Sequence, residues 1–127
     1  MNKLYERAKL WLFATDEGTW ASHWGQGLVF FFVGYGLISV EFGLGLAIGA
    51  FAHRELSNFV AYWMAWGFKQ ATRVKFLDGW MDYTMAVLGA VTGLLFTQGA
   101  AAGFGGVFGS VAFWSIVTAY VRRNKAG

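Results

Sequence analysis

The chain alternates long apolar runs with short charged knots, and the knots divide it. From Trp20 to Val40 it reads WASHWGQGLVFFFVGYGLISV, and no residue between Glu17 and Glu41 carries a fixed charge. A helix of about 20 such residues spans the ~30 Å hydrocarbon core of a bilayer. A second charge-free stretch runs from Tyr83 to Val121. At ~1.5 Å per residue it would cover nearly twice that thickness, so it must turn back. The turn falls in TQGAAAGFGG, residues 97–106, where Gln98 is polar and Gly99, Gly103, Gly105 and Gly106 relax the backbone. Tyr83–Phe96 and Phe104–Val121 are then the arms of a hairpin.

Between these regions FGLGLAIGAFA (42–52) and LSNFVAYWMAWGF (56–68) flank His53, Arg54 and Glu55. Two placements compete for this second span. In one, the chain turns near GYG at 34–36, descends through Leu37–Ala52, and brings the charged trio to the interface, with Glu41 near the far side. In the other, the turn is SVEFG at 39–43, the span continues to about Trp66, and the trio lies near midplane. An Arg or acidic residue at the centre of a span costs roughly 2.5–3.5 kcal/mol, and neighbouring side chains diverge too far to compensate one another. The interfacial placement is therefore favoured, and either one gives four spans.

The basic clusters set the orientation. Lys3, Arg7 and Lys9 precede the first arm, Lys69, Arg73 and Lys75 lie between the hairpins, and Arg122, Arg123 and Lys125 follow the last arm. With both termini and the central segment cytoplasmic, each cluster obeys the positive-inside rule and the two opposite turns contain no Lys or Arg. The start, MNKLYERAKLWLF, spaces Leu4, Ala8 and Leu12 helically among charges, as in an amphipathic interfacial helix that is retained rather than cleaved. The fold expected is all-α and membrane-embedded: about four transmembrane helices as two hairpins after that interfacial helix. Its boundaries are 1–16 for the interfacial helix, 19–56 for the first hairpin, 57–80 for an aromatic and basic cytoplasmic linker, 81–121 for the second hairpin, and 122–127 for a basic tail.

Composition agrees. Of 127 residues, 57% are hydrophobic and 13% charged, against about 25% charged in a soluble domain. The net charge of +3 arises from clusters at the ends of apolar runs, not from one basic face, which argues for membrane orientation and against nucleic acid. With no cysteine, disulfides, thiolate metal sites and cysteine nucleophiles are excluded.

The candidate polar cluster is His23, Glu41, His53, Arg54, Glu55, Asp78 and Asp82, with Gln26 one turn from His23. His23, between Trp20 and Trp24, reads first as part of an interfacial aromatic belt, and second as a group bonding across the bundle or lining a wet path. Asp78 and Asp82, four apart, share one helical face. Capping the start of the third span is favoured over cation binding, proton acceptance or pairing with Arg54. The two histidines stand 30 positions apart without metal-ligand spacing, so neither a metal, a cofactor nor a catalytic group is expected. Gly45 and Gly49, Gly89 and Gly93, and Gly105 and Gly109 each have the four-residue spacing that lets helices approach closely in lipid, within one chain or between copies.

WASHWGQGL, AIGAFAHREL and DGWMDYTMAVLGAVTGLL together resemble small multi-pass membrane proteins of tailed bacteriophages, of the holin type; the resemblance covers most of residues 20–95. It implies a non-enzymatic protein of the bacterial cytoplasmic membrane that self-associates in the bilayer or with another membrane protein and permeabilises it, with His23, Arg54, Glu55, Asp78 and Asp82 at its motif positions. A small channel or transporter component with a polar path through the bundle, supported by ionisable residues in apolar segments, is the alternative. A membrane scaffold subunit is a third.

Overall fold

The computed structural model describes residues 2–7 and 16–126, and everything described is helix or the turns between helices. A short helix α1 covers 2–7 with Leu4 and Tyr5 exposed; the rest of the expected interfacial helix, 8–15, lies outside the described residues. Four long helices follow: α2 (Asp16–Leu37), α3 (Val40–Trp66), α4 (Phe68–Gln98) and α5 (Ala100–Ala126).

Local chemistry explains where they break. Ser39 is extended, and its Oγ accepts a hydrogen bond from the Phe42 amide at 3.1 Å, capping α3. That cap supplies an acceptor for an otherwise unpaired amide of the first turn, so the turn falls at Ile38–Ser39 and not at the expected GYG. Gly34 stays helical because it is needed for packing: a Cβ there would come within 2.6 Å of the Gly43 Cα on α3. Gly67, at φ 91°, breaks the chain between α3 and α4 in a conformation that other residues rarely adopt. Gly99 ends α4 inside the stretch where the second turn was expected.

The expected linker 57–80 is mostly helix, because α3 runs on to Trp66 and α4 begins at Phe68. Aromatic side chains clasp this end of the hairpin: the Phe68 ring meets Trp63 at 5.2 Å and Phe59 at 6.3 Å. Lys75 lies over the Tyr62 ring at 5.5 Å, a cation–π contact. A helical hairpin thus replaces a loop, since α4 at ~1.5 Å per residue is about 46 Å long and outreaches any bilayer core.

Packing centres on α4, which touches the other three long helices. Trp20, His23, Trp24 and Phe31 of α2 meet Asp78, Asp82, Gly89 and Gly93 of α4 in rising order, so these two helices run parallel. A Cβ on Gly27 would overlap the Ala86 carbonyl, and one on Gly89 the Trp24 carbonyl. The backbones therefore touch. In lipid, such contact substitutes for the hydrophobic effect. Phe31, Ala47 and Ala90 form one buried cluster of α2, α3 and α4, while Trp20, Met81 and Met85 form another against Phe113, Trp114 and Val117 of α5.

Among the described residues, two segments are long and apolar enough to cross a membrane, Asp78–Gln98 and Ala100–Asn124. Of the four spans expected from the sequence, two meet that requirement of length and apolarity. In α2 the apolar run is diluted by His23, Gln26 and glycines, and in α3 by Glu41, His53, Arg54 and Glu55. The outer surface is nonetheless apolar, with Val29, Phe30, Phe32 and Val33 of α2 and Phe104, Phe108, Val111 and Ile116 of α5 all exposed.

Candidate functional site

Three ionisable groups converge from three helices. His23 of α2, Glu55 of α3 and Asp82 of α4 each place a nitrogen or oxygen within 4.8 Å of the other two. His23 is 3% exposed and Asp82 8%, and Glu55 is half-buried. Helical geometry splits the charged trio of the sequence. His53 and Arg54 face outward and are exposed, whereas Glu55, the next residue, turns inward. Neither competing placement anticipated this division, although the helix does run to Trp66 as the second required.

Asp82 is not a cap. It lies fourteen residues past the first residue of α4, far beyond the first turn where capping operates. His23 is not in a belt at the surface: its Nδ1 lies 2.7 Å from the Thr19 carbonyl oxygen and 3.6 Å from Asp82 Oδ1, and its ring packs edge-on against Phe51 at 5.9 Å. A carbonyl only accepts, so the Nδ1 proton points at Thr19. Nε2 then carries the lone pair, is buried, and has no hydrogen-bond partner; Glu55 Oε1 is in the same condition.

Two neighbours shape the site. Gly79, one turn before Asp82, leaves room for Glu55; a Cβ there would come within 3.2 Å of Glu55 Oε2. Asp78 accepts a long hydrogen bond of 3.4 Å from the Trp20 indole N–H, so it braces α2 against α4 below the cluster. An open groove of about 1120 Å³ between the lower halves of α3 and α4 has Glu55, Asp78 and Asp82 in its wall, together with Lys75, Trp66 and Phe68. The cluster is buried between helices yet reached from this groove.

The cluster sits near one end of the apolar segment Asp78–Gln98. Asp82 lies one helical turn, about 6 Å, in from the Asp78 end of that segment. The remaining candidates stand apart: Glu41, in the first turn of α3, is exposed at the opposite end, about 21 Å of helix from Glu55. The glycine pairs divide as well. Gly89 and Gly93 both pack against α2, but a Cβ added at Gly45, Gly49, Gly105 or Gly109 would meet nothing within 4 Å. The close contacts made instead by Gly27, Gly34 and Gly43 carry no four-residue partner in the sequence that would have flagged them.

No ligand set was legible from spacing, because the three groups are separated by whole helices. What the sequence did offer was Asp78 and Asp82 at i, i+4 on one face, of which Asp82 joins the cluster. Comparison with protein-family models, with curated proteins and with solved structures finds no match, so function has to be argued from the site itself.

Proposed function

We propose that this chain is a non-enzymatic, multi-pass protein of the bacterial cytoplasmic membrane that conducts or carries a cation through its bundle, as a small channel or transporter component. The observation that carries the reading is the convergence of His23, Glu55 and Asp82 within 4.8 Å between three helices. Ionisable groups are costly inside a bilayer and are retained there chiefly along ion and proton paths. All four long helices cross in this reading. The turns at Ser39 and Gly99 face outward, free of Lys and Arg. The termini and the Gly67 turn face the cytoplasm with Lys69, Arg73, Arg122 and Arg123.

Vesicles of phosphatidylethanolamine and phosphatidylglycerol containing the purified protein test this directly. Under an imposed potential, cation or proton uptake is expected in the wild type and at least ~10-fold less in Asp82→Asn or Glu55→Gln, the fall expected when about 1.4 kcal/mol of site energy is lost. Equal uptake in wild type and both variants, with helicity retained, removes the reading.

The holin-like alternative, self-association that permeabilises the membrane, is favoured by a different observation: the open glycine faces of α3 and α5 at Gly45, Gly49, Gly105 and Gly109. Small residues on a lipid-facing helix suit close contact with another copy. Expression in bacteria should then collapse the membrane potential and release small dyes, and Gly49→Leu with Gly109→Leu should abolish both effects. Retained leakage in that double variant excludes those faces.

A further inference from the structure

We propose that His23, Glu55 and Asp82 form a binding site for one divalent first-row transition-metal ion of the zinc type, with coordination positions left open toward the groove. The proposal deepens the cation-handling reading, on which it rests, by naming the class of cation.

Charge balance comes first. Two carboxylates brought within a few ångströms of one another between helices repel, and a cation between them offsets that repulsion. A dication neutralises both. The donors suit such an ion: ligand atoms around a tetrahedral zinc at ~2.0–2.2 Å lie about 3.4 Å apart. One ring nitrogen of His23 and one oxygen each of Glu55 and Asp82 lie within 4.8 Å of one another, with Nδ1 the nitrogen 3.6 Å from Asp82, so ligation through Nε2 takes a turn of the imidazole as well as of the carboxylates.

The histidine gives independent support. His23 is 3% exposed, its Nδ1 proton is held by the Thr19 carbonyl, and Nε2 is buried without a partner. Metal-ligating histidines characteristically donate their second ring N–H to a backbone carbonyl or carboxylate, which fixes the tautomer and raises basicity at the ligating nitrogen. An unmatched lone pair in a dry position is the form in which imidazole binds a metal. Glu55 Oε1 is likewise buried without a hydrogen bond, beside the space that Gly79 leaves.

Ligand chemistry narrows the ion. One imidazole and two carboxylates suit Zn²⁺, Mn²⁺, Fe²⁺, Co²⁺ or Ni²⁺; Cu(I) requires sulfur, and Ca²⁺ takes six to eight oxygens. Three protein ligands leave at least one position for water or a passing ligand, the pattern of open zinc sites rather than closed structural ones. Glu55 and Asp82 also line the groove, so an ion can reach them from the basic end without crossing the apolar half of the bundle.

The test uses the full-length protein in detergent, stripped with a chelator and titrated with Zn²⁺ by calorimetry, and separately with Co²⁺ by visible absorption. One ion per chain is expected, with Co²⁺ giving the d–d bands of a low-coordinate nitrogen and oxygen site. His23→Ala, Glu55→Gln and Asp82→Asn should each weaken Zn²⁺ binding at least ~100-fold, the upper end of what even an outer-shell change costs. His53→Ala removes the exposed histidine and should leave binding unchanged. Absence of 1:1 binding in the wild type overturns the proposal, as does binding that survives Asp82→Asn or is lost with His53→Ala. The wild-type Co²⁺ spectrum decides the matter if a ligand variant fails to fold. A protein that binds zinc 1:1 but moves no cation in vesicles keeps the site and loses the transport reading; proton uptake without metal binding does the reverse.

Discussion

The two segments able to cross a membrane, Asp78–Gln98 of α4 and Ala100–Asn124 of α5, lie side by side and differ in a telling direction. The α5 segment is the more apolar of the two, yet 11% of it is buried against 44% for the α4 segment. In a soluble protein the ranking runs the other way, because water drives the greasiest helix to the centre. Here the greasier helix is at the edge. Burial in α4 takes in small and polar side chains as well as Met81 and Met85: Gly89, Ala90, Thr92 and Gly93 face inward, as does Asp82. The proposed membrane setting accounts for this order, since in lipid apolar surface gains nothing by leaving the solvent and helices associate by close packing.

Breaking α4 should therefore have the largest consequence. Gly89→Leu drives a side chain into the Trp24 backbone, and a fold that cannot yield there should lose at least ~3 kcal/mol, beyond the usual 1–3 for overpacking. Loss of the folded species in detergent, measured by thermal unfolding and size-exclusion chromatography, is the expected outcome. A normal melting transition would show that α2 and α4 do not touch at this point.

The contact between the two helices offers a smaller change. Thr92 Oγ1 and Ser110 Oγ lie 3.4 Å apart, but each donates its one proton to a carbonyl of its own helix, Leu88 and Gly106. Neither proton is left for the other hydroxyl. Thr92→Val should then cost ~0.6 kcal/mol or less, the average for polar contacts between membrane helices, measured as a shift in unfolding free energy. A loss of more than about 2 kcal/mol, above the largest such contact measured, would make this pair the bond that holds α5 in place.

The smallest effect on the monomer is expected at Gly109 of α5. Gly109→Leu meets nothing within the chain and should leave monomer stability within ~0.5 kcal/mol. Its effect belongs to assembly: crosslinking in membranes should show fewer oligomers if that face meets another copy. Marked destabilisation of the monomer would place α5 deeper in the bundle than its burial indicates.

Helices and turns are readable because their causes are local. Ser39 and Gly99 mark ends through capping chemistry and backbone freedom, and the long charge-free runs announce length. The turn favoured near GYG falls instead at Ile38–Ser39, at the start of the alternative SVEFG, because Gly34 serves packing, a tertiary reason that decides between the two placements. The clasped α3–α4 end reads as a linker in the sequence because aromatic contacts such as Trp63 with Phe68 join residues across Gly67. For the candidate site, the three residues that converge, His23, Glu55 and Asp82, are all among the candidates read from the sequence. Local rules nevertheless favour a belt for His23 and a cap for Asp82, and both lose to tertiary position. The segregation of Glu55 from His53 and Arg54 is implicit in the ~100° step between neighbouring helical residues, but which of the three faces inward depends on where α2 and α4 stand.

The parallel alignment of α2 and α4 also constrains biogenesis. These helices are joined in sequence only through α3, so when α2 and α3 have been synthesised the surface formed by Gly27 and Phe31 still awaits its counterpart. His23 and Glu55 meet first, and Asp82 arrives a whole helix later during synthesis. The cluster thus cannot be completed until the third long helix has been made, and a chain arrested before α4 would carry a half-built site.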